Sequence, residues 1–255
     1  MARCVTTRFA IITSLLLLGV GPAEARGKNC LFIGHSFFVP IAQRFDQIAK
    51  QAGISGHSQR TVYSRGGSGS PGNLWNGARG NSIRRILASG QIELMGMTYY
   101  SPSNSSFEDY SRWIEFALDH NPSTSFFIGL PWERAAGKKS ASQVAAANAQ
   151  ISGALANTVS RLRTRFPGTR ITYLNYGKSA SELNRLFHAG QLPGMKKLSG
   201  PGGETVYADA TGHGSNLLKD LCALLWLKSL YGVNPGSSRL RFPYSTDIKK
   251  IAGQL

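Results

Sequence analysis

A serine hydroxyl becomes a useful nucleophile when a base lies within hydrogen-bond reach and a third group orients that base. Two distant stretches of this chain offer those parts. Ser36 stands in Leu31-Phe32-Ile33-Gly34-His35-Ser36-Phe37-Phe38, an apolar run that breaks at Gly-His-Ser and resumes as a helix. Such a break puts the serine on the sharp turn at a strand's end, and Gly34 allows the close backbone approach the turn needs. Asp209 and His213 stand in Asp209-Ala210-Thr211-Gly212-His213, a loop of small residues just ahead of the last long helix. Taken singly, Ser36 reads equally well as a helix N-cap, and Asp209 as a loop residue making its own turn. Taken together they point to acyl transfer from an ester, with Ser36 attacking, His213 as base and Asp209 orienting it.

The other four histidines fit that chemistry less well. His35 neighbours Ser36, but adjacent side chains diverge from a turn, and His120 ends a helix before Asn121-Pro122, where a cation suits the dipole. His57 and His188 stand alone. No group of His, Cys, Asp or Glu has metal-ligand spacing, so neither a catalytic metal nor another cofactor is expected. Gly67-Ser68-Gly69-Ser70-Pro71-Gly72 matches a dinucleotide-binding pattern, but it follows the second strand and Pro71 removes an N–H. It reads as a flexible loop or, in function, as one whose backbone N–H groups line an oxyanion pocket beside Ser36. The hydroxyl- and ring-rich segment Met97–Ser106, with Tyr99 and Asn104, is expected on the same edge, and Trp132 with it. These suit contacts to sugars or acyl groups.

The elements that must position these groups alternate along the chain. Strands are expected at Asn29–Gly34, Gln59–Tyr63, Ile92–Thr98, Thr124–Leu130 and Arg170–Asn175. Helices are expected at Pro40–Ala52, Leu74–Ala88, Phe107–Leu118, Ala141–Phe166, Ser181–Ala189 and Asn216–Tyr231. Regular alternation without a repeat predicts an α/β domain, a five-stranded parallel sheet between two helical layers, over residues 26–233. Ligands of such sheets bind at the carboxyl ends of the strands, where Ser36 would sit. Residues 234–255 read as a surface tail.

The first 25 residues carry Arg3 and Arg8, an apolar run Phe9–Val20 and small residues at Ala23 and Ala25, the pattern of a cleavable secretory signal. The run is short of the ~20 residues that span a bilayer. A periplasmic or secreted protein with no membrane span is therefore expected. Loss of Arg3, Arg8 and Glu24 takes the net charge only from +16 to about +15. The excess is dispersed. It draws polyanions, here an anionic polysaccharide or envelope surface, with nucleic acid not expected for an exported chain. Cys30 and Cys222 remain after processing, and two buried free thiols are favoured over a bridge.

Gly34-His35-Ser36 after the first strand, Ser68-Gly69 after the second and Asp209…His213 before the last helix resemble the SGNH (GDSL-type) hydrolases. The resemblance runs through nearly the whole mature chain. It implies a flavodoxin-like three-layer αβα sandwich and hydrolysis of lipid, acyl or acetylated-sugar esters. It makes Ser36 nucleophile and oxyanion donor, Gly69 the second donor, His213 the base and Asp209 its acid. Two positions depart from the family pattern. Thr98 replaces the asparagine that gives a third oxyanion donor, leaving Thr98 or Asn104 to fill that place. Asp209 precedes His213 by four residues where the family has three. The expected activity is removal of an acetyl or short acyl group, from a carbohydrate. Three alternatives stand beside it: a lipid esterase, an acyltransferase using the same residues, and a weakly catalytic polyanion-binding protein.

Overall fold

In the computed structural model, residues 26–202 and 204–255 are described; the expected secretory signal lies outside them. Five strands, β1 (Asn29–Gly34), β2 (Ser58–Tyr63), β3 (Leu94–Thr98), β4 (Ser125–Leu130) and β5 (Ile171–Asn175), form one parallel sheet. Its order is β2-β1-β3-β4-β5, the flavodoxin-like doubly wound arrangement. The burial of each strand follows from that order. β3 and β4, covered on both faces, are buried at every residue, whereas Ser58-Gln59-Arg60-Thr61-Val62-Tyr63 on the edge has none.

Side chains alternate across the sheet and so divide the core in two. Leu31, Ile33, Met95, Met97, Phe126 and Ile128 face α2 (Pro71–Asn76), α3 (Gly80–Leu87), α4 (Phe107–His120) and most of α5 (Ala141–Arg165). Phe32 and Phe127 face the other layer, α1 (Val39–Gln51), α6 (Lys178–His188), α7 (Asn216–Tyr231) and α8 (Ile248–Gln254). Trp226 of α7 is the hub of that layer, its ring within 4.9–5.8 Å of Phe32, Phe38, Phe45, Phe127 and Tyr176. It joins the helix after Ser36 to the helix after His213.

Local sequence sets the helix ends. Ser106 and Ser140 each form a capping box, with Asp109 and Gln143 respectively, and α7 runs from a Ser215 cap to Gly232 in the left-handed region. Three elements differ from expectation. Leu74–Ala88 is two helices, because the chain turns extended at Gly77. α6 starts three residues early, at Lys178. The tail contains α8, capped by Asp247, whose Ile248, Ile251 and Ala252 enter the core. Cys30 and Cys222 are buried and unbridged, and burial pushes the Cys30 thiol up to about 12. No described helix is long and apolar enough to cross a membrane.

Candidate active site

Ser36 stands two residues past the end of β1, on a turn closed by Phe38 N–H and Val39 N–H, which both donate to the His35 carbonyl at 3.0 Å. Gly34 is needed there: a Cβ would meet the Phe38 ring at 2.9 Å and the Thr98 methyl at 3.0 Å. The N-cap of α1 is Phe38, so Ser36 does not cap the helix. Its hydroxyl instead meets His213, with Oγ 3.0 Å from Nε2.

His213 is oriented from behind by Asp209, whose Oδ2 lies 2.7 Å from Nδ1. Asp209 Oδ1 accepts from the backbone N–H groups of Gly212 at 3.0 Å and His213 at 3.2 Å. The extra residue between acid and base is absorbed in the loop. Gly212 N–H also closes a turn onto the Asp209 carbonyl (3.1 Å), with Gly212 at φ +90°, a conformation that suits glycine. Burial pushes the Asp209 carboxyl up, but the His213 ring and the two backbone donors outweigh it and hold it below its ordinary range. An ionised Asp209 only accepts, so Nδ1 carries the proton and Nε2 offers its lone pair to the Ser36 hydroxyl. The three groups lie in one hydrogen-bonded line.

Trp132, expected on the substrate rim, lines the cavity and also braces this loop. Its Nε1–H donates to the Gly212 carbonyl at 2.7 Å, and its ring packs on Phe37 and Tyr176. Ala135 N–H holds the Thr211 carbonyl at 2.8 Å from the same side. Trp132→Phe keeps the ring contacts and loses that bond. A neutral hydrogen bond contributes about 1 kcal/mol, so any turnover that runs through Ser36 is expected to fall up to about tenfold in kcat with KM little moved.

His35 is a positioning residue that the sequence reading set aside. Its Nδ1 accepts from Phe37 N–H (3.2 Å), so Nε2 bears the proton and donates to the Tyr99 carbonyl at 3.1 Å. This ties the Ser36 turn to the end of β3. Burial pushes its pKa down to about 4, with the Tyr99 carbonyl opposing and the nearby His213 adding a little. Between about 4 and the ordinary 6.5 the unfolded chain binds a proton that the folded protein does not. Stability from this group is therefore complete above 6.5 and is lost as pH falls toward 4. Urea denaturation at pH 7 and pH 5 should show wild type losing about 1–2 kcal/mol more than His35→Asn over that interval.

The expected helpers are distributed unevenly. Gly69 is not in the cavity wall itself but sits against the Ser36 turn, where a Cβ would lie 2.6 Å from the Ser64 carbonyl oxygen and 2.7 Å from His35 Cβ. Thr98 does not serve as a third oxyanion donor. It is fully buried beneath the turn, its hydroxyl donating to the Tyr99 carbonyl at 3.1 Å, and it is absent from the cavity wall. A short β-branched side chain at the last residue of β3 stays in the core. Asn104, on the 3-10 turn Pro102–Asn104, does not line the cavity either; Tyr99 does.

The cavity beside Ser36 and His213 measures about 470 Å³. Phe37, Tyr99, Tyr100, Leu130, Pro131 and Trp132 form its apolar and aromatic wall, and Arg65, Glu133 and Arg134 its charged rim. The two arginines escaped sequence reasoning, although each lies just past the carboxyl end of a strand, β2 and β4, where ligands of such sheets bind. Among the described residues no three His, Cys, Asp or Glu side chains converge to hold a metal.

No protein-family model and no curated protein sequence matches this chain. Among solved structures it is similar to a DUF4886 family protein from Bacteroides uniformis. That match has a TM-score of 0.56 at 14% identity and covers 89% of this chain and 92% of the other. It is also similar to a family 3 carbohydrate esterase of Clostridium thermocellum (TM-score 0.46, 12% identity, 89% and 100% covered). A third similar structure is the periplasmic domain of a lipopolysaccharide acetyltransferase from Salmonella ser. Paratyphi A (TM-score 0.46, 14% identity, 81% and 85% covered). At such identities the first of these is a likeness of fold.

Proposed function

We propose that this protein is an exported serine ester hydrolase that removes an acetyl or short acyl group from a carbohydrate. The observation that carries the reading is the Ser36–His213–Asp209 line, with 3.0 Å from nucleophile to base and 2.7 Å from base to acid. Ser36 Oγ attacks the ester carbonyl carbon as its proton passes to His213 Nε2. The carbonyl oxygen takes up charge facing the Ser36 and Gly69 backbone N–H groups. The bond to the sugar oxygen breaks, that oxygen receives the proton from His213, and an acyl group is left on Ser36. Water, deprotonated by the same nitrogen, then attacks the acyl carbon, and Ser36 leaves with the proton returned to it.

The aromatic and hydroxyl-bearing wall of Tyr99, Tyr100 and Ser101 supports a sugar as the alcohol half of the ester. Export rests on the signal-like first 25 residues. The test is release of p-nitrophenol from p-nitrophenyl acetate by wild type, Ser36→Ala and His213→Ala, together with mass spectrometry of an acetylated Ser36 peptide after rapid quench. Undiminished turnover in either variant sinks the mechanism.

A further inference from the structure

The charged residues of the cavity point beyond an ester in general to the kind of molecule that carries it. Its wall holds two arginines and one glutamate. Glu133 is already neutralised by Lys139, which bonds its Oε2. Arg65 and Arg134 are exposed, and among the described residues neither side chain makes a hydrogen bond or an ion pair with the protein. Arg44, Arg112, Arg163 and Arg185 are engaged by carboxylates or carbonyls. Other surface arginines such as Arg60, Arg79 and Arg241 are as free, so it is a place in the cavity wall that sets Arg65 and Arg134 apart. Two arginines thus line the cavity with their side-chain donors uncommitted.

Their placement constrains what they would bind. Arg65 follows β2 and Arg134 follows β4, while Ser36 follows β1, which stands between those strands in the sheet. The strand ends that carry the arginines are three strand spacings apart, about 14 Å. A chain with an anionic group on either side of the acylated sugar would engage one arginine with each, its reacting ester held over Ser36. Guanidinium forks match carboxylate and phosphate oxygens, and the net charge of +16 draws polyanions toward them.

We propose that Arg65 and Arg134 are substrate-binding residues that select acyl esters borne on an anionic carbohydrate chain. This rests on the esterase reading and narrows its substrate class. The shared chemistry is an oxyanion on a sugar flanking the esterified one, whether carboxylate or phosphate.

The test measures acetate release from three substrates: an O-acetylated oligouronate, an O-acetylated phosphate-bearing oligosaccharide and an O-acetylated neutral xylo-oligosaccharide. Wild type should favour at least one anionic substrate over the neutral one by about tenfold or more in kcat/KM, and added salt should shrink that ratio. The anionic arm that wins names the group. In Arg65→Ala/Arg134→Ala the anionic-to-neutral ratio should drop about 10- to 100-fold, each lost charged contact giving up to about a decade. A wild-type ratio near one, or a ratio the double substitution leaves in place, overturns the proposal. If no substrate and no p-nitrophenyl acetate is cleaved, the esterase reading fails separately. Calorimetric binding of the unacetylated oligouronate and of the unacetylated phosphate-bearing oligosaccharide then decides the anion site. Weaker binding of either by the double variant supports it, and equal or absent binding of both overturns it.

Discussion

Ser36→Ala is expected to lower kcat/KM for p-nitrophenyl acetate by about 10⁴-fold, with far-ultraviolet circular dichroism and melting temperature unchanged. Ser36 Oγ has one polar side-chain partner, His213 Nε2, so the substitution removes the nucleophile and little else. His213→Ala should lose activity to a similar degree, and the double variant no more than either single one. Groups that act as a unit are not additive, because once the nucleophile is gone its base has no proton to take. Asp209→Asn should lose less, about 10²-fold. The Asp209 side chain is 47% exposed, so water can partly replace it at His213 Nδ1. Single-turnover kinetics on wild type and the four variants gives the four ratios. Additive losses at Ser36 and His213 would mean that the two act in different steps.

Arg44→Met is expected to destabilise the protein by about 3 kcal/mol, lowering the melting temperature by about 6–12 °C. Asp220 is fully buried in α7. It accepts from Arg44 of α1 through both oxygens, Nη2 to Oδ2 being 2.6 Å, and from the Tyr244 hydroxyl at 2.6 Å. Without Arg44 the buried carboxylate keeps one neutral donor, and an uncompensated buried charge is the costly outcome. Arg44→Met/Asp220→Leu should recover at least half of the loss, since apolar side chains replace such pairs with little penalty. Thermal melts of the single and double variants check both. If the single substitution costs under about 1 kcal/mol, the pair contributes no more than an exposed ion pair does. The pair also joins the helix after Ser36 to the helix after His213, so the single variant should lose activity on warming before wild type does.

The two pairs differ in how legible they were. Ser36 and His213 stood out because each sits at a break in an apolar pattern, where a strand or helix must begin or end. Arg44 and Asp220 gave no such sign. Asp220 lies within Leu217–Leu227, where the pattern alone marks it as an interruption, and its partner is 176 residues away. Thr98 shows the converse. The family pattern placed it among the oxyanion donors, yet its hydroxyl is committed to the Tyr99 carbonyl. His35 drew no role from the sequence, because its bond from β1's end to β3's end depends on strands adjacent in space and separate in sequence. Arg65 and Arg134 were hidden among many dispersed basic residues, since only the wall of the cavity distinguishes them.

From its sequence alone this chain determined the alternating elements, the parallel sheet and the edge on which Ser36 and His213 would meet. Those follow from local periodicity and from breakers such as Gly34, Pro131 and Pro167, which act within a few residues of themselves. Whether acid, base and nucleophile align within 3 Å, which arginines face the cavity and whether Thr98 points inward were decided only by tertiary structure. Hydrogen bonds depend on tenths of an ångström between residues up to 177 positions apart. The packing of α1 against α7 on one face of the sheet sets those distances, and no pattern along the chain encodes them.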